Sequence, residues 1–176
     1  MADWLALLMH DLDGRIFLQL DSGEQARRIV AATRFPPLGI RGVASATSRA
    51  SGFGTNRAYL GSAHEDICLI AQIESRTGLD AIEDIAATDG IDALFIGPGD
   101  LAGALGHLGD PGHEEVQAAI ADADRRIRRA GKPAGIFALS LDDARRRIAD
   151  GVTMVSVGTD IGLLVSGARA LREAIA

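Results

Sequence analysis

Ile67-Cys68-Leu69-Ile70-Ala71-Gln72-Ile73-Glu74 is an apolar run of strand length that ends in two polar side chains two residues apart. A second run, Ala93-Leu94-Phe95-Ile96, leads straight into Gly97-Pro98-Gly99-Asp100-Leu101. Both runs are continuous rather than alternating, as expected of parallel strands covered on both faces. Outward from these two, apolar runs at 15–20, 134–137 and 153–157 complete a set of five expected strands. Helix-patterned stretches at 23–33, 55–64, 78–87, 112–129, 141–150 and 162–175 fall between or after them. Gly90, Gly131 and Gly151 stand just past expected helix ends, where a left-handed cap is common. Strand and helix therefore alternate, and the expected fold class is α/β with a parallel sheet.

Five strands fit two architectures. A closed (β/α)8 barrel needs eight strands and typically about 250 residues. An open, doubly wound sheet of the flavodoxin type needs only five. Periodicity leaves both open. The stretch 34–54, with Pro36-Pro37, Gly39, Gly42 and several Ser and Thr residues, breaks the rhythm. It reads as a long ordered loop, and such loops in compact domains are usually functional.

Composition narrows the function classes. The 176 residues are 47% hydrophobic and 24% charged, with a net charge of −6. That acidic balance argues against a general nucleic-acid or anionic-membrane binder. Two arginine clusters, Arg125, Arg126, Arg128, Arg129 and then Arg145, Arg146, Arg147, sit among acidic residues in helix-patterned segments and are expected to be solvated helix faces. The single cysteine, Cys68, permits no intrachain disulfide and is expected to be a buried, inert thiol. The apolar patch Trp4 to Met9 has no basic residue before it and follows Asp3, which makes a poor secretion signal. No apolar run reaches the length of a membrane span. The expectation is a cytoplasmic protein with no membrane and no nucleic-acid partner.

The ends of the two quoted runs hold the chemistry. Residues two apart on a strand share a face, so Gln72 and Glu74 point the same way, at the end of a parallel strand where ligands bind. Glu74 either binds a metal or moves a proton, or it is a surface carboxylate paired with Arg76. Gly97 and Gly99 let backbone N–H groups approach a ligand, and Pro98 stiffens the turn. Asp100 either presents an oxygen to a hard cation or merely caps the segment after it. Together, two carboxylates, an amide and an anion-binding turn make a plausible Mg²⁺ or Mn²⁺ site, with positions left for water and a bidentate 2-oxo acid. Co²⁺ is a further candidate for the same oxygen ligands. His10, His64, His107 and His113 show no zinc-ligand spacing and are expected to be exposed or structural. The absence of a Gly-x-Ser-x-Gly elbow and of a Walker loop argues against serine-nucleophile and nucleoside-triphosphate chemistry.

Longer motifs then come into register. Arg34-Phe35-Pro36-Pro37-Leu38-Gly39-Ile40-Arg41-Gly42, followed by Ser48-Arg49-Ala50-Ser51, resembles the loop of the 4-hydroxy-2-oxoheptanedioate and 2-dehydro-3-deoxyglucarate aldolases, the class II pyruvate aldolases. Gln72-Ile73-Glu74, the Gly97-to-Leu101 turn and Gly158-Thr159-Asp160 follow at the places this family has them. The resemblance runs from about Asp21 to the end. It implies a (β/α)8 barrel, here about five C-terminal strands with their helices, an incomplete TIM barrel. Residues 21–176 would form that barrel portion, and residues 1–20 an atypical segment in place of the first strands. It also implies a homo-oligomer packed through an exchanged C-terminal helix.

The implied reaction is the reversible cleavage of a 4-hydroxy-2-oxo acid to pyruvate and an aldehyde. By the resemblance, Glu74 and Asp100 bind the divalent metal, while Gln72, the backbone at Gly99 and Asp100 hold the 2-oxo acid. Family members usually carry Ala where Gly99 stands and Ser where Ala102 stands. The family's catalytic histidine base and enolate-stabilising arginine come from its first strands and match no position here. That leaves a second expectation, a catalytically impaired paralogue that keeps the pocket, and a third, a flavodoxin-like binding module. Phe137 and Ala138 are the candidates for lining the aldehyde side.

Overall fold

The computed structural model describes residues 14–17 and 19–175. The apolar patch from Trp4 to Met9 and His10 lie outside the described residues. Five parallel strands form one sheet: β1 (Gly14–Phe17), β2 (Cys68–Ile73), β3 (Ala93–Ile96), β4 (Ala134–Phe137) and β5 (Met154–Ser156). Every strand pairs with its neighbour in the chain, in the order β1-β2-β3-β4-β5. A flavodoxin-like sheet reverses direction at a switch point. Among the described residues the sheet makes no reversal, so it is an arc of a barrel and the flavodoxin-like alternative falls.

Eight helices accompany the strands among the described residues: α1 (Gly23–Thr33), α2 (Tyr59–Asp66), α3 (Arg76–Asp80), α4 (Ile82–Ala86), α5 (Pro98–Ala104), α6 (Glu114–Arg129), α7 (Leu141–Ala149) and α8 (Asp160–Ala174). Side-chain oxygens start several of them. Ser22 accepts from the Gln25 N–H at 3.2 Å, Ser75 from Gly78 at 2.9 Å and Ser140 from Asp143 at 3.1 Å. Gly90, Gly131 and Gly151 adopt the expected left-handed backbone, at φ of +91°, +80° and +93°. The single helix expected over 78–87 is instead two short ones meeting at Ala81, whose N–H reaches the Thr77 and Gly78 carbonyls.

The two faces of the arc differ. Leu69, Ala71 and Ile73 of β2, Leu94 and Ile96 of β3, and Ala134 and Ile136 of β4 point to the helices and are buried. They form one core with Ile82 and Ile85 of α4, Leu101 and Ala102 of α5, and Val116, Ile120, Ala123 and Ile127 of α6. The α6 residues recur every three or four positions, the stripe a helix lays on a sheet. On the opposite face of β2, Ile70 and Gln72 are only half-buried and Cys68 is exposed. The expectation of full cover on both faces therefore holds for β3 but not for β2. For the same reason Cys68 is not a buried thiol: it occupies the first position of β2 on the open face. Partial desolvation, with Asp92 nearby, still pushes its thiol pKa up.

Arg147 is a second correction. Arg145 and Arg146 are solvated, as expected of that cluster, but Arg147 is buried. Its Nε donates to Asp143 Oδ1 at 3.1 Å and its Nη2 to Gln117 Oε1 at 2.6 Å. Asp143 is buried too, which pushes its pKa up. The Leu139 amide, Arg146 and Arg147 outweigh that effect and hold it below the usual carboxylate range. No helix among the described residues is long and apolar enough to cross a membrane.

Candidate active site

Parallel pairing places the site. Gln72 lies opposite Phe95, Phe95 opposite Gly135 and Gly135 opposite Met154, so these four form one row across the inner face of the arc. Two residues further along each strand, Glu74, Gly97, Phe137 and Ser156 form the next row, at the C-terminal rim. Gly135 makes the lower row possible: a Cβ there would come within 2.6 Å of the Phe95 ring and 2.7 Å of the Met154 methyl.

Gln72 and Glu74 share a face, as strand parity predicts, and they touch. The Gln72 amide Nε2 donates to Glu74 Oε2 at 2.5 Å. The Gln19 backbone N–H lies near this carboxylate and helps lower its pKa. Gly97 is the floor beneath it. A Cβ at Gly97 would stand 2.7 Å from Glu74 Oε2 and 2.8 Å from Gln72 Nε2. The rim is braced from both sides: Leu20 N–H donates to the Gln72 carbonyl at 3.0 Å, and Gly97 N–H to the Ile73 carbonyl at 3.1 Å. The Ser75 hydroxyl also hydrogen-bonds the Asp21 carboxylate.

Glu74 is 8% exposed. Burial pushes its pKa above the ordinary carboxylate range, the Gln72 hydrogen bond pulls it down, and the Asp100 carboxylate close by pushes it up again. Among the described residues no cationic side chain forms an ion pair with Glu74 or Asp100. The sequence alternative that Glu74 pairs with Arg76 is not what forms. Arg76 turns away and donates to the Ala104 and Leu105 carbonyls, both at 3.1 Å. A buried carboxylate beside a second carboxylate, with no cation paired to it among the described residues, is costly unless a cation is supplied. Two acidic oxygen donors in that situation fit a divalent metal.

Asp100 arrives by a local structure the sequence only half disclosed. The turn after β3 is the first turn of α5, with Gly97 as its cap and Pro98 as its first residue. Asp100 therefore lies inside the helix and does not cap it. Pro98 has no N–H to give, and the N–H groups of Gly99 and Asp100 belong to the first turn, where none has a partner within the helix. A Cβ at Gly99 would meet nothing within 4 Å, so that side of the turn is open. Phe137 is partly exposed at the end of β4, whereas Ala138 is buried, so only Phe137 can present a side chain there.

The loop 34–54 is ordered around Arg41. Its guanidinium carbon lies 4.4 Å from the Phe35 ring centroid and 5.9 Å from that of Tyr59, and Nη2 donates to the Tyr59 hydroxyl at 3.3 Å. Gly39 has to be small, because a Cβ there would strike the Ala31 and Arg34 carbonyls.

A profile of the HpcH/HpaI aldolase/citrate lyase family matches residues 4–167. This chain belongs to that family. It is 50% identical over 154 residues to the hydroxypyruvate/pyruvate aldolase of Pseudomonas aeruginosa, covering 88% of this chain and 56% of that protein. It is 47% identical over 155 residues to the 5-keto-4-deoxy-D-glucarate aldolase of Klebsiella pneumoniae, covering 88% and 60%. An HpcH/HpaI aldolase/citrate lyase family protein from Burkholderia cenocepacia superposes with a TM-score of 0.87 at 40% identity, over 93% of this chain and 65% of that one. The chain thus spans somewhat more than half the length of the curated relatives it matches. The aldolase resemblance read from the motifs is correct, and the family match reaches upstream of Asp21, where that resemblance was placed.

Proposed function

We propose that this chain carries the metal and 2-oxo-acid pocket of a class II pyruvate aldolase. The reaction is reversible cleavage of a 4-hydroxy-2-oxo acid to pyruvate and an aldehyde. The observation that carries the proposal is the buried Glu74 carboxylate, hydrogen-bonded by Gln72, close to Asp100 and with no cationic partner among the described residues. The curated relatives named as hydroxypyruvate/pyruvate and 5-keto-4-deoxy-D-glucarate aldolases support the substrate class.

Glu74 and Asp100 would hold Mg²⁺ or Mn²⁺, and the same oxygens accept Co²⁺. When bound, such an ion supplies a Lewis acid toward the oxygens of a 2-oxo acid. The chain's own groups bind and orient. Gln72 spends one amide hydrogen on Glu74, which leaves its second hydrogen for the substrate. The Gly99 and Asp100 N–H groups at the start of α5 receive the substrate carboxylate. Phe137 faces the aldehyde. The proton-moving base and the enolate-stabilising arginine are assigned to no residue of this chain.

A homo-oligomer in the cytoplasm is part of the same proposal. None of the fifteen residues of α8 is buried, and Ile161, Leu164 and Leu171 lie along it at helical spacing. An apolar stripe of that length is ordinarily covered by protein, and a second copy of this chain is the proposed cover.

Pyruvate α-proton exchange in D₂O, followed by NMR with and without Mn²⁺, tests the reading. Metal-dependent exchange that Glu74→Ala abolishes supports it. Mn²⁺ binding without exchange identifies the alternative, a pocket that binds and does not turn over. Absence of Mn²⁺ binding by the folded protein overturns both.

A further inference from the structure

The connection from α5 to α6 is tied down along its length. His107 N–H donates to the Ala102 carbonyl at 2.7 Å, Asp110 N–H to His107 at 2.9 Å, and His113 N–H to Asp110 at 3.2 Å. The Gln117 amide donates to the Pro111 carbonyl at 2.7 Å. Gly106 and Gly109 take φ of +92° and +82°, a backbone that a side chain makes costly. This path stacks His107 on His113, six positions later, with ring centroids 3.5 Å apart and planes 15° from parallel. Glu115 Oε2 lies 2.8 Å from His107 Nε2, and the Glu115 backbone N–H donates to His113 Nδ1 at 3.2 Å. One donor atom from each of His107, His113 and Glu115 lies within 4.8 Å of the other two.

Two imidazoles and a carboxylate make a different donor set from the oxygen-only pair at Glu74 and Asp100. Borderline ions such as Zn²⁺ and Ni²⁺ favour imidazole nitrogen, while Mg²⁺ does not. Donors held at about 2.0–2.1 Å from one ion stand about 3.3 Å apart, so the distance to close is short, and rotation of the two rings has to bring their lone pairs to one point. Arg76 Nη2, 3.9 Å from Glu115 Oε1, can keep that oxygen while Oε2 turns toward an ion. What an ion displaces is the His107–Glu115 hydrogen bond, the His113 cap and the ring stack, which must open because each imidazole lone pair lies in its own ring plane.

We infer that His107, His113 and Glu115 form a second divalent-metal site, selective for a nitrogen-preferring ion such as Zn²⁺ or Ni²⁺. It lies past the C-terminal end of α5, the helix whose first turn carries Asp100. An occupied site would pin the α5–α6 connection to the start of α6. It stands independently of the aldolase reading, since none of its ligands belongs to that pocket.

Zn²⁺ titration of the full chain by calorimetry, in excess Mg²⁺ to occupy the oxygen site, tests it. One equivalent is expected to bind. His107→Gln and His113→Asn are each expected to weaken binding at least about a hundredfold, since losing even an outer partner of a metal ligand costs about 10–100-fold. Both variants should stay folded: Gln keeps a donor toward Glu115, and Asn is a strong helix cap. His64→Asn should leave binding unchanged. Cu²⁺ EPR should show splitting from two imidazole nitrogens, lost in the His107→Gln variant. No stoichiometric binding, or binding that survives both substitutions in folded protein, overturns the inference.

Discussion

A Cβ placed on Gly97 would lie 2.7 Å from Glu74 Oε2 and 2.8 Å from Gln72 Nε2, so the two polar side chains rest on a residue that has none. Gly97→Ala would have to push the Gln72–Glu74 pair off its floor. We expect Mn²⁺ affinity to fall at least about tenfold, with a fold destabilisation under about 1 kcal/mol, because the added methyl displaces only the movable ends of two side chains. Mn²⁺ titration and urea denaturation on the same variant check both. Gly99→Ala, where the added methyl meets open space at a helical position, is the control and should leave Mn²⁺ affinity unchanged without lowering stability.

Arg147 and Asp143 are both buried, and removing one partner leaves the other's charge uncompensated. Asp143→Ala should cost about 3 kcal/mol. Asp142→Ala, one residue earlier on the exposed face, should stay within about 0.5 kcal/mol of wild type. Urea midpoints of the two variants, measured side by side, settle the contrast.

Acid sensitivity has an identifiable contributor. Arg126 of α6 grips Glu83 of α4 with two hydrogen bonds, at 2.7 and 2.5 Å. That bond lowers the Glu83 pKa to about 2. A carboxylate depressed in the folded state stabilises above its unfolded value of 4.5, and the contribution disappears as pH falls from there toward about 2. Because Glu83 is more than half exposed, solvent screening limits the pair to about 1 kcal/mol at most. Glu83→Gln should therefore be slightly less stable than wild type at pH 7, with the gap closing below pH 4.5. Chemical denaturation between pH 7 and pH 2.5 reads it directly.

Sedimentation velocity checks the proposed assembly. Wild type should sediment as an oligomer, and Leu164→Asp combined with Leu171→Asp should move it to the monomer, since both leucines are well exposed on α8. A monomeric wild type at tens of micromolar would sink the assembly proposal and leave the pocket reading untouched.

What the sequence disclosed and what it concealed divide along physical lines. The side shared by Gln72 and Glu74 follows from strand parity alone, and their position at a strand end follows from the apolar run before them. The choice of a barrel arc over a doubly wound sheet depends on strand order, a non-local property that periodicity does not encode. Arg147 was legible in principle, because Asp143, Ala144 and Arg147 recur at the spacing of a buried helix stripe. The charge of the cluster hid it. Cys68 was misread because an apolar run does not announce which of its faces is left open. The pairing of His107 with His113 depends on a loop bent by Gly106 and Gly109, and no spacing rule for metal ligands covers that path.

Sequential strand order also suits assembly in the order of synthesis. Segments 74–92, 97–133 and 138–153 connect strands that pair with their immediate successors, whereas β1 reaches β2 only across residues 18–67. Closure entropy rises by about 0.6 kcal/mol for each doubling of a flexible connection. The β1–β2 connection is therefore the longest to close, though by only about 0.3 kcal/mol over the β3–β4 one, and β2 through β5 follow it in the chain. On a ribosome each of those later strands docks on its predecessor as it emerges. Gln19 and Leu20, which lie beside Glu74 and Gln72, follow the first strand and are set in place when β2 pairs with it. The rim of the pocket is thus completed by the segment that was synthesised before it.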